Sequence, residues 1–82
     1  MGDLVDVKRR KIYSLLRWLE TKPLMSVDDG GKHQYLVRCE KWQQPFPIPF
    51  KHNVVKSVFV KRLMKQLIES GVCTEDEFRS HL

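Results

Sequence analysis

The chain has 82 residues, with 15 Lys and Arg against 10 Asp and Glu and a formal net charge of +5. That length holds one domain with a single modest core, and no apolar run approaches the length needed to cross a bilayer. Met1 to Asp6 lacks the charged-then-apolar order of a secretory leader, so a cytoplasmic location away from any membrane is expected. Cys39 and Cys73 are far apart and form no CxxC pair, so neither a disulfide framework nor a zinc site is expected.

Ile12, Leu15, Leu16 and Leu19 recur at the spacing of an amphipathic helix. Asp6 is placed to cap its start, and Lys22-Pro23 ends it near Glu20, because the residue before proline disfavours helical geometry. The period then changes. Leu24 to Val27 reads as a short strand that stops at the turn signal Asp28-Asp29-Gly30-Gly31. From His33 to Cys39 the chain alternates, with Tyr35, Val37 and Cys39 on one face, so the two segments predict a β-hairpin.

After a second turn, Glu40 to Gln44, comes Pro45-Phe46-Pro47-Ile48-Pro49-Phe50. All three prolines share one parity, which leaves Phe46, Ile48 and Phe50 to pair and face the core. Proline belongs at sheet edges, so this segment predicts an edge strand; a polyproline-like extended loop is the alternative. Val60, Leu63, Met64, Leu67 and Ile68 predict a second helix starting near Ser57 and stopped by Gly71. Thr74-Glu75-Asp76-Glu77 is a capping-box pattern that opens a short third helix, Glu75 to His81, anchored by Phe78. The expected architecture is a two-layer α+β domain of order α-β-β-β-α, three antiparallel strands with the helices on one face, plus the short C-terminal helix.

An excess of positive charge favours a polyanionic partner, and the placement of the charges is more informative. Lys8-Arg9-Arg10-Lys11 lie near one end, and Lys51, Lys56, Lys61, Arg62 and Lys65 lie toward the other. Between them, Gly30-Gly31-Lys32-His33 stands at the mouth of the second strand. Two glycines permit a tight turn and close approach of a ligand. Lys32 supplies a fixed positive charge, and His33 can give and take a proton near neutral pH.

The order of elements and three short stretches resemble the HicA toxins: GGKHQY leading into the second strand, PIPFKH after the third, and ESGVCTEDEF near the end. The resemblance runs from about Leu15 to Phe78. It implies a fold like that of the double-stranded-RNA-binding domain and cleavage of mRNA. It also implies a HicB-like antitoxin protein as partner, covering the active surface. The family has a histidine in a G-x-x-H context at the start of its second strand, which His33 matches, and commonly a second histidine after the third strand, which His52 matches. Many members carry Gly-Ser or Gly-Thr where this chain has Gly30-Gly31, so a hydroxyl near the phosphate is missing here.

RNA carries its own nucleophile, the 2′-hydroxyl, so its cleavage needs only proton transfer, charge stabilisation and in-line geometry. A positioned histidine serves as general acid or base. Lysine and backbone N–H groups hold the phosphoryl oxygens where negative charge grows. His33 is accordingly the expected catalytic residue, and Gly30, Gly31, Lys32, Lys51, His52 and Lys56 are the expected RNA contacts. No metal or other cofactor is expected. Trp42 is read as packing beneath the second turn or as a stacking platform for a base. A non-catalytic RNA-binding module on the same fold is the alternative function.

Overall fold

A computed structural model describes residues 5–28 and 34–82 of the chain. The first helix, α1 (Arg9–Leu19), buries Ile12, Leu15, Leu16 and Leu19, the four residues whose spacing predicts it. It follows a two-residue strand, β1 (Val7–Lys8). The central sheet contains β2 (Met25–Asp28), β3 (Gln34–Cys39) and β4 (Phe46–Pro49), all antiparallel, in the order β2-β3-β4. Next come a second two-residue strand, β5 (Val54–Val55), the long helix α2 (Ser57–Glu69) and the short helix α3 (Glu75–Ser80).

Alternation sorts the sheet into two faces. Met25, Tyr35, Val37, Cys39 and Ile48 are buried, whereas Ser26, Asp28, Arg38 and Pro47 are exposed. The buried face meets α1 beside β2 and α2 beside β4. All helices therefore lie on one side, and the domain is the two-layer α-β-β-β-α arrangement. Phe78 of α3 is completely buried and closes the core between the layers.

β4 is an edge strand because of its prolines. Phe46 and Ile48 stand opposite Val37 and Tyr35, while Pro47 and Pro49 stand opposite Leu36 and Gln34. In an antiparallel ladder alternate pairs exchange hydrogen bonds. Phe46 and Ile48 retain the N–H groups such pairs need, and the prolines fall on the alternate rungs that face outward. The exposed side of the sheet is thus stripped of donors at those positions, which discourages another strand from adding there.

Two of the predicted helix-end devices form as expected. Thr74 Oγ1 accepts from the Glu77 amide and the Glu77 carboxylate accepts from the Thr74 amide, a complete capping box. At the end of α2, Gly71 takes φ +75°, its amide bonds the Ile68 carbonyl, and the Val72 amide bonds the Leu67 carbonyl. That pair of bonds is the Schellman motif.

The expected role of Asp6 is corrected. α1 begins at Arg9 after Lys8, which gives no side-chain cap. Asp6 instead reaches the start of α2, where its carboxylate oxygen accepts from the Ser57 amide at 2.9 Å. The reason is the ribbon β1-β5, in which Val7 pairs with Val55 and Lys8 with Val54. Two buried valines hold that ribbon together, and it carries Asp6 past α1 to the end of a helix fifty-one residues further along the chain. α2 has no acidic residue in its own first turn and no cap from Lys56. A carboxylate at that end stabilises its free amides and its dipole.

Candidate nucleic-acid interface

The same ribbon joins the two basic segments. Beyond the Lys8–Val54 pair, the Arg9 amide donates to the Asn53 carbonyl at 2.8 Å. Residues 51–54 close a two-residue hairpin, with Lys51 and Val54 exchanging backbone bonds of 3.0 and 3.1 Å. Both central residues, His52 (φ 56°) and Asn53 (φ 63°), are left-handed, as a type I′ turn requires. Histidine and asparagine tolerate this conformation better than most residues.

Lys8, Arg9, Arg10, Lys11, Lys51, His52 and Lys56 are therefore neighbours at one end of the domain, and all are exposed. None of the six Lys and Arg forms an ion pair with a described residue. Asp6 lies among them, and one of its oxygens is committed to Ser57. The result is a positive surface assembled from two segments some forty residues apart in the chain, a field that concentrates polyanions.

The predicted site residues fall into two groups. Lys51, His52 and Lys56 lie on this surface: Lys51 and His52 in the tight turn and Lys56 immediately before α2. Gly30, Gly31, Lys32 and His33 lie outside the described residues. The strands flanking them, β2 and β3, are paired in register from Asp28↔Leu36 to Met25↔Cys39. His52 has no hydrogen-bond partner among the described residues. Its side chain is exposed on a tight turn, and no described residue orients it.

An aromatic cluster that sequence reasoning missed lines this end of the core. The Arg9 guanidinium carbon sits 4.3 Å from the Phe50 ring centroid and 5.9 Å from that of Tyr35. Arg9 Nε donates to the Tyr35 hydroxyl at 3.2 Å. Tyr35 and Phe50 are buried and tilted against each other, with centroids 5.0 Å apart. Tyr13, one turn along α1 from Arg9, stands 6.3 Å from Tyr35 and is 46% exposed. Arg17 Nη1 donates to the Tyr13 hydroxyl at 3.0 Å, and this bond raises the affinity of Arg17 for its proton. The sequence signal was present, since Arg9, Tyr13 and Arg17 recur every four residues on one helix face. Their meeting with Tyr35 and Phe50 required the sheet.

Two other residues prove structural. Trp42 packs against the core, and its indole N–H donates to Ser70 Oγ at 2.7 Å, which fastens the second turn to the end of α2. His81 stacks on Trp18, with centroids 3.9 Å apart and planes 11° from parallel, and so ties the C-terminal residues to α1. The thiols of Cys39 and Cys73 are both buried, and burial pushes the Cys73 thiol above its ordinary value. No described helix is long and apolar enough to cross a membrane. No protein-family model matches the chain, and no curated protein and no solved structure matches it either.

Proposed function

We propose that this chain is an RNA-acting toxin of the HicA type, a metal-independent endoribonuclease in which His33 is the general acid/base. The observation that carries the reading is the meeting of the Lys8–Lys11 and Lys51–Lys56 segments on one exposed surface. A domain with a modest net charge of +5 gathers seven of its basic and imidazole side chains there. Such a surface attracts the phosphate backbone and releases its counterions.

In this reading His33 takes the proton from a 2′-hydroxyl or gives one to the departing 5′-oxygen. Lys32 and the Gly30 and Gly31 amides hold the phosphoryl oxygens. Lys51, His52 and Lys56 bind the strand to either side. The absence of an orienting partner for His52 among the described residues favours a binding role over a second proton transfer. A HicB-like antitoxin would shield the same positive surface, and cytoplasmic mRNA would be the target.

The test is RNA integrity with wild type and His33→Ala, in buffer containing EDTA. The expected result is cleavage by the wild type and a loss of roughly 10²- to 10⁴-fold in the variant. Equal cleavage by a folded His33→Ala protein removes His33 from the mechanism. Salt-sensitive RNA binding with no cleavage by either protein selects the non-catalytic module instead.

A further inference from the structure

One recess in the basic surface has a lining unlike the rest of it. Between the start of α1 and β3 lies a cleft of about 470 Å³, lined by Lys8, Arg9, Arg10, Tyr13, Tyr35 and Asn53. Its volume falls within the range of small-molecule sites. Three of the six lining residues are cationic, two are aromatic, and none is acidic.

Arg9 is held in place by its own neighbours. The Phe50 ring underlies the guanidinium, and Nε is committed to the Tyr35 hydroxyl. The planar fork is thus oriented before any ligand arrives, and its Nη groups have no acceptor among the described residues. A preoriented guanidinium suits a phosphate, which it can meet through two parallel N–H bonds. The helix end contributes little of this, since the Arg9 amide is already taken by the Asn53 carbonyl.

Tyr13 supplies the other half. Its hydroxyl is occupied by Arg17, so what it offers is its half-exposed ring. A ring of this kind stacks on any nucleobase, whatever its sequence. Bases within an A-form duplex are already stacked on one another, and duplexes are recognised through sugars and phosphates along the groove. A recessed ring beside a phosphate fork has a use only for a base that has left its stack.

We infer that this cleft is a subsite for one unpaired nucleotide of an RNA strand, the base on Tyr13 and the adjacent phosphate on Arg9. Lys8 and Arg10 on the rim attract the flanking backbone. The subsite rests on the RNA-acting reading and extends it, by naming residues that select single-stranded substrate on a surface remote in sequence from His33.

The experiment is fluorescence anisotropy with a short labelled 2′-O-methyl RNA, offered as a single strand and as a blunt duplex. Methylation removes the nucleophile, so affinity is read apart from cleavage. The wild type is expected to bind the single strand more tightly. Tyr13→Ala is expected to weaken single-strand binding about thirtyfold, the middle of the range for one stacked base, and to leave duplex binding unchanged. Tyr13→Phe keeps the ring and should bind like wild type. Arg9→Lys keeps the charge but loses the fork and should also weaken the single strand, and thermal melts confirm that each variant is folded.

Equal affinity for the two forms, or a Tyr13→Ala protein that binds the single strand normally, overturns the subsite. So does binding of neither form, which would leave the basic surface to an acidic protein. Cleavage of unmodified RNA is scored separately. A protein that binds through Tyr13 but cuts nothing keeps the subsite and loses the nuclease. One that cuts through His33 while Tyr13→Ala binds normally does the reverse.

Discussion

Replacing Asp6 with alanine tests the long-range cap directly. The residue is exposed and buries nothing, so its contribution comes from one hydrogen bond and one charge at the start of α2. Loss of a side-chain cap costs about 1 kcal/mol, and a carboxylate near a helix start contributes roughly 0.3–1 kcal/mol through the dipole. α2 has no replacement, since Lys56 offers no side-chain cap and the first turn contains no acid. For a domain of this size about 1 kcal/mol moves the melting midpoint by about 4–8 °C. Asp6→Ala is therefore expected to lower the midpoint by at least that amount in a circular-dichroism melt. Asp6→Asn keeps an oxygen acceptor and loses only the charge, so its loss should be a few tenths of a kcal/mol and should shrink as salt is added. The same substitutions remove a negative charge from the basic surface, so polyanion binding should strengthen while stability falls. An unchanged midpoint in Asp6→Ala would refute the capping argument, and equal losses in both variants would refute the role of the hydrogen bond.

Two further predictions concern helix ends. Gly71→Ala should cost about 1 kcal/mol, read as the urea midpoint, because φ +75° is strained for any residue with a Cβ. The nearest atom to that Cβ would be Lys41 Nζ at 4.0 Å, so crowding adds nothing; a stability equal to wild type would show that the turn relaxes. The bond from the Thr74 amide, helped by Lys22 and His81, holds the Glu77 carboxyl below its ordinary range. A depressed carboxylate contributes stability above its unfolded value and loses it as pH falls through the folded value. The stability gap between wild type and Glu77→Gln should then be present at neutral pH and close on acidification below the usual carboxylate range. A gap that stays constant across that titration would assign the effect to something other than the charge.

The parts of this protein legible in its sequence are those that a few adjacent residues specify. The α1 and α2 spacings, the Thr74–Glu77 box, the Gly71 stop and the proline parity of β4 each depend on neighbours within one or two turns or one strand. Short-range sterics and hydrogen bonding fix them wherever the segment lies, and the two-layer order follows from their succession. The basic segments could be named from residue type alone, and His52 from its match to the histidine that follows the third strand in the family the sequence resembles. The turn that displays His52 left a faint trace, a His-Asn pair between lysine and valine.

What the sequence misplaced was Asp6. A carboxylate can cap any helix whose first amides it reaches, and proximity in the chain pointed to α1. Tertiary structure chose α2, because burying Val7 against Val55 carries the first residues across the domain. The same pairing merged two basic segments some forty residues apart into one surface, and set Arg9 against the Tyr35 and Phe50 rings. Neither arrangement has a local signature, since each is settled by which apolar side chains share a core. The sequence by itself determined the elements and the stock of charged and aromatic groups. Only the packing of the core decided which of those groups meet.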